Sequence, residues 1–166
     1  MTEESKEPRK AGQPLGALQL RHLLVAIDGS FSSELALSAA VLVAERDRAK
    51  LTLISVSPET WRWAAGAYAP GIQPDVDRAT EQALRDAVAR LPDGISIRTL
   101  FRRGKPGVEI VAAAEEGDYD AVLVGARGTG RLGSFLGSVS RYVLQEAPIP
   151  VFVAHAPRKV DQGRGT

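Results

Sequence analysis

The residues of this chain best placed to do chemistry are Gly125-x-x-Gly128 and, after an eight-residue spacer, Gly137-Ser138-Val139. Glycine lets a backbone approach an anion closely and adopt positive φ. The N–H groups and dipole of a helix start attract negative charge. The run Tyr119-Asp120-Ala121-Val122-Leu123, just before the first glycine, reads as a strand, and residues 139–147 read as a helix. A strand, a glycine loop and a helix start together prepare a phosphate site. The chemistry indicated is nucleotide recognition more than any particular reaction.

Three familiar phosphate motifs come close without fitting. Gly128-Thr129-Gly130-Arg131-Leu132-Gly133 is a literal G-x-G-x-x-G. In a dinucleotide fold that motif follows the first strand, and an acid ends the next strand to hold the ribose. Here it follows the fourth strand, and the next one ends Val153-Ala154-His155-Ala156. The same stretch imitates a kinase glycine loop, but a kinase needs far more chain and a full catalytic set. Gly128 and Gly133 are also spaced as in a P-loop, yet Ser134 stands where its lysine belongs.

Other polar residues carry two readings each. Asp28 ends the first strand, where it either meets a ligand in the crevice or caps the following helix. Ser138 serves equally as a helix cap and as a phosphate donor, since both use one geometry. Arg127 and Arg131 are candidates to offset phosphate charge. His22 and His155 read as structural or exposed rather than as catalytic bases. Glu115, Glu116, Asp118 and Asp120 read as a solvated helix end and strand start, because neighbours in sequence rarely converge on one ion. Trp61, Trp63 and Tyr68 fit a lid over a base and a protein-contact patch equally well.

These residues must be positioned by a real core. The chain has 166 residues, 44% of them apolar, which suits one globular domain. Twenty-one Lys and Arg against 20 Asp and Glu leave a net charge of +1. That balance argues against a nucleic-acid surface, which needs a basic excess. The absence of cysteine removes disulfides and thiol chemistry, and two histidines are too few for a histidine metal cluster. No apolar run approaches the ~20 residues that span a bilayer. The first ten residues hold no apolar signal segment, so a cytoplasmic protein with no membrane contact is the expectation.

Residues 1–19 and 157–166 read as mobile tails around one domain, residues 20–156. Within it, five apolar runs alternate with four helical patterns. The strands are expected at residues 23–27, 51–56, 95–101, 121–124 and 149–154. Leu35, Ala39, Leu42 and Val43 set the expected inner face of the first helix, and Ser30, Ser32 or Ser33 its cap. A loop over residues 58–74 precedes the second helix, which carries Ala79, Ala83, Leu84, Ala87, Val88 and Leu91. Val108, Val111 and Ala112 share a face of the third helix, and the fourth spans about residues 136–147. Strict βα alternation implies an α/β fold with parallel strands and helices on both faces. Ligands in such sheets bind beyond the strand C-terminal ends, at the topological switch point.

At this point the sequence resembles the universal stress protein family. Its nucleotide-binding members carry G-x-x-G, nine residues, then G-S or G-T. Gly125-x-x-Gly128 and Gly137-Ser138 fit that pattern, followed by Val139-Ser140, with a spacer one residue shorter. Val25-Ala26-Ile27-Asp28-Gly29-Ser30 and Ala147-Pro148-Ile149-Pro150-Val151-Phe152-Val153 match the family's start and end. The resemblance covers residues 20–155.

It implies a five-stranded parallel sheet of the adenine nucleotide α-hydrolase-like kind, a Rossmann-like three-layer sandwich. It implies ATP as the ligand, with Mg²⁺ or Mn²⁺ bridging the phosphates, and a regulatory stress-response role. Residue by residue, Asp28 matches the position near the adenosine, and Val56 one whose backbone meets adenine. Val124 and Gly125 match positions lining the ribose and phosphates, and Gly128, Gly137, Ser138 and Val139 the phosphate cradle. A homodimer through the last strand follows from the same resemblance. No general base is evident near the loop, so ATP hydrolysis is expected to be slow or incidental. The alternative is a dimeric interaction module of the same fold that holds no nucleotide. A pyrophosphatase of the wider superfamily would place Ser-Gly-Gly after the first strand, where this chain has Asp28-Gly29-Ser30-Phe31.

Overall fold

The computed structural model describes residues 20–59, 72–127 and 136–155. Nine elements alternate: β1 (His22–Ala26), α1 (Phe31–Asp47), β2 (Lys50–Ser57), α2 (Gln73–Ala89), β3 (Ile97–Arg103), α3 (Pro106–Glu116), β4 (Ala121–Gly125), α4 (Ser138–Glu146) and β5 (Val151–Ala154). All strand pairs are parallel, in the order β3-β2-β1-β4-β5. The chain winds outward from β1 through β2 to β3, then returns to place β4 on the other side of β1. That reversal puts the switch point between the C-terminal ends of β1 and β4.

Side chains that alternate along the strands divide the core into two layers. Leu23, Val25, Leu51 and Leu53 pack with α1 and α2 residues such as Ala36, Leu37 and Leu84. Leu24, Ile54, Val122 and Val124 pack with Ile110, Val111 and Val143 of α3 and α4. Burial on both faces explains why the central strands read as continuous apolar runs. The expected fold class is therefore what forms.

Several expected details are corrected. The inner face of α1 is Ser33, Ala36, Leu37, Ala40 and Ala44, while Leu42 is 68% exposed. Apolar residues surround this helix, so periodicity does not choose a face. The small residues win because α1 lies close against the end of β4. On α3 the inner face is Gly107, Ile110, Val111, Ala113 and Ala114, and Val108 is exposed. Ala79 of α2 is exposed rather than core. The strand β3 lies two residues later than expected, paired with β2 from Leu51↔Ile97 to Ser57↔Arg103. The α4 helix starts at Ser138, two residues later than expected, and β5 starts at Val151.

Asp120 is not merely solvated. Its Oδ2 accepts from Arg21 N–H (2.7 Å) and His22 N–H (2.9 Å), closing the start of β1. His22 is structural: Nδ1 lies 3.0 Å from Asp118 O, Nε2 2.9 Å from Thr52 Oγ1, and the ring packs on Tyr119. The expected tails and the aromatic loop with Trp61, Trp63 and Tyr68 lie outside the described residues.

A buried carboxylate fastens α2 to the sheet. Asp77 accepts from the Ser57 hydroxyl at the end of β2, from Gln73 Nε2 (2.9 Å) and from Arg103 Nε (3.0 Å). The Ser57 hydrogen bond, with help from Gln73 and Arg103, holds the Asp77 carboxyl below the usual carboxylate range. Because its native pKa is depressed, the ionised clamp contributes stability above about pH 4, lost as pH falls through the native value. Asp77→Asn should lower the unfolding free energy by about 2 kcal/mol at pH 7. Urea denaturation should show the gap to wild type closing below about pH 4.

Candidate functional site

The site lies where β1, β2 and β4 end. After Ala26 the chain reaches Asp28, whose Oδ1 accepts from Ser30 N–H (2.9 Å) in an Asx turn. Gly29 sits at φ +75, a left-handed conformation that glycine adopts without strain. Ser30 then caps α1: its Oγ accepts from Ser33 N–H (3.2 Å) and donates to Arg127 O (3.2 Å). One hydroxyl thus joins the loop after β1 to the loop after β4. Of the three serines expected to cap, Ser30 does so.

On the other side, Ala126 O accepts from both Gly137 N–H (2.7 Å) and the buried Ser140 hydroxyl (2.9 Å). These bonds pin the start of α4 against the end of β4. Gly137 is the N-cap and uses no side chain for capping. The N–H groups of Ser138, Val139 and Ser140 fall in the first turn, where an α-helix offers no internal acceptor. They are the natural anion donors.

Together these pieces enclose a cavity of about 670 Å³, within the usual range for small-molecule sites. Asp28, Val56, Val124, Gly125, Gly137, Ser138 and Val139 all line it, so seven of the sequence-predicted positions converge. Gly128 and Arg131 lie outside the described residues. Arg127 lines the cavity too and is exposed. Its apolar part includes Ile54, Val76, Pro106 and Ile110. Among the described lining residues Asp28 and Arg127 are the only titratable ones. The capping reading of Asp28 does not hold, since Ser30 is the cap of α1; Asp28 fastens the turn before it and borders the cavity.

Val56 presents backbone rather than side-chain chemistry. Alternate β2 residues bond to β1: Lys50 N–H donates to Arg21 O (2.8 Å), and Ile54 O accepts from Ile27 N–H (2.8 Å). Val56 continues that series, but the β1 pairing ends at Ala26↔Ile54. Its N–H and C=O therefore face past the end of β1, into the cavity.

Sequence reasoning missed the α2 wall, where Val76 and Thr80 line the cavity and Asp77 fastens them. The available signal was Asp77 itself, a carboxylate seven residues before buried Leu84 on the same helix face. It also missed Ser140, which anchors the cradle through Ala126 O.

The Gly125 position is more constrained than a ligand contact requires. A Cβ built there would lie 2.6 Å from Ser32 C and 2.7 Å from Ser33 N. The glycine admits the N-terminus of α1.

Among the described residues no group of three or more acidic or histidine side chains stands ready for a metal ion. None of their helices is long and apolar enough to cross a membrane.

Known proteins resemble this chain in sequence and in fold. The chain is 33% identical over 142 residues to universal stress protein YxiE of Bacillus subtilis, covering 79% of this chain and 96% of that one. It is 34% identical over 138 residues to universal stress protein Rv2623 of Mycobacterium tuberculosis, covering 80% of this chain but 44% of that longer one. The fold matches that of hypothetical protein MJ0577 with TM-score 0.74 at 22% identity, covering 85% and 99% of the two chains. A universal stress protein in complex with cAMP matches with TM-score 0.53 at 25% identity, covering 83% and 98%. The fold is shared also with a universal stress protein from Archaeoglobus fulgidus in complex with dAMP, with TM-score 0.55 at 21% identity, covering 83% and 100%. The universal stress protein family model matches residues 19–155. With the βα order, the switch-point cavity and Gly137-Ser138 at the start of α4, the chain belongs to the universal stress protein family.

Proposed function

We propose that this protein binds an adenine nucleotide, ATP in the first instance, in the switch-point cavity and acts as a nucleotide-dependent regulatory protein of the stress response. The observation that carries the reading is the cavity itself, with the α4 N-terminus at one end and the free-facing Val56 backbone at the other. Phosphate oxygens suit the Ser138–Ser140 N–H groups and the Ser138 hydroxyl. A base with adjacent donor and acceptor suits Val56 C=O and N–H. The complexes of related proteins with cAMP and dAMP support the same ligand class. Mg²⁺ or Mn²⁺ would be held mainly by the phosphates, since the described cavity lining offers Asp28 alone as a carboxylate. A binding role is proposed over rapid hydrolysis because Asp28, the carboxylate lining the cavity, is already held in its Asx turn by Ser30 N–H.

The dimer belongs to the same proposal. The β5 edge is short, carries no charge and exposes Phe152 (44%), whereas the β3 edge carries Arg98, Arg102 and Arg103. Charged side chains guard an edge against pairing, so β5 is the edge suited to meet its copy across a two-fold axis.

Native mass spectrometry of freshly purified protein tests both. A dimer mass carrying ATP or ADP, identified after denaturation, is expected. An empty protein that also shows no thermal shift with ATP and Mg²⁺ would favour the interaction module of this fold instead.

A further inference from the structure

Ile27 O is the last acceptor of the β1–β2 ladder, and its partner is unusual. In a parallel pair, Ile27 N–H donating to Ile54 O should be followed by Val56 N–H donating to Ile27 O. Instead the buried Ser55 hydroxyl donates to Ile27 O at 2.6 Å. The register stops at Ala26↔Ile54, one rung early. Ser55 is fully buried, and Ile27 is buried as well. Beyond Ile27 the chain cannot return to β2, because the Asx turn at Asp28 and positive-φ Gly29 carry it into α1.

We infer that Ser55 is a positioning residue for base recognition: by satisfying Ile27 O, it keeps Val56 N–H out of the ladder and available to the ring nitrogen of a bound adenine. The inference rests on the proposed adenine-nucleotide site and adds a reason for its base preference. Val56 N–H then donates to N1 of the base, and Val56 C=O accepts from the exocyclic amine. Without the Ser55 hydroxyl, Ile27 O becomes a buried acceptor lacking a partner, which is costly. The nearest remedy is one more rung, drawing Val56 N–H onto Ile27 O. The polar group that reads the base is then consumed by the sheet.

The test is a cycle between one side chain and one ring atom. ATP and 1-deaza-ATP, in which N1 is replaced by C–H, are titrated calorimetrically against wild type and Ser55→Ala. Wild type should favour ATP by roughly tenfold, the worth of one buried hydrogen bond. Ser55→Ala should bind the two with nearly equal affinity, at the wild-type level for 1-deaza-ATP. A purely structural effect of the substitution would weaken both ligands together and leave their ratio unchanged, which overturns the inference. Equal binding of the two by wild type overturns it as well, while leaving the nucleotide site standing. Failure of wild type to bind either ligand would remove the nucleotide reading and this inference with it. Ser55→Cys, which retains a weak donor, should restore part of the preference for ATP.

Discussion

Replacing Gly137 by Val together with Ser138 by Ala should weaken ATP binding by at least about a hundredfold and leave the fold intact. Hydrogen bonds to a charged acceptor contribute roughly 1.5–3 kcal/mol each. Losing the Ser138 hydroxyl and obstructing the N–H groups behind Gly137 removes at least two, and each 1.4 kcal/mol is tenfold. The fold survives for a local reason. Gly137 has φ −68 and ψ 167, ordinary extended backbone that valine adopts readily. Its N–H bond to Ala126 O and the Ser140 anchor do not depend on either altered side chain. Calorimetric titration beside a thermal melt checks both halves. Unchanged ATP affinity would remove the α4 N-terminus from the site.

Gly125→Ala should do the opposite: it should damage the fold before it touches the ligand. The added Cβ would stand 2.6 Å from the Ser32 carbonyl carbon and 2.7 Å from Ser33 N, backbone atoms that cannot rotate aside. These are the first residues of α1, fixed in turn by Ser30, which caps the helix and holds Arg127 O. Overpacking against immovable atoms costs up to about 3 kcal/mol. At this chain length that is a fall in Tm of roughly 6–12 °C. A melt with the wild-type midpoint, joined to weakened ATP binding, would show that Gly125 serves ligand approach instead.

The two variants separate what looks uniform in the motif. From the spacing alone, Gly125 and Gly137 are equivalent anchors of one glycine loop. In the folded protein one glycine makes room for a helix and the other leaves a helix start uncovered. The same division explains the serines. Ser138 is exposed and lines the cavity, whereas Ser30, Ser55, Ser57 and Ser140 each satisfy a group of the protein itself.

Much of this was legible in the residues because it depends on local order. Apolar runs alternating with helical patterns dictate βα units, and βα units dictate a parallel sheet covered on both faces. Glycine after a strand and Gly-Ser before a helix mark a phosphate cradle wherever the sheet places them. The side of α1 that faces the core was not legible, since leucine and alanine series fit the same helical period. It was decided by how closely the helix must approach β4. The Asp77 clamp joins residues 57, 73, 77 and 103 from three elements, and no local pattern announces such a meeting. The place where the β1–β2 ladder stops, and therefore what Val56 can offer a base, is also a tertiary matter. Which carbonyl a buried hydroxyl reaches depends on the register of two strands, and register is fixed by the packing of the strand faces against the core.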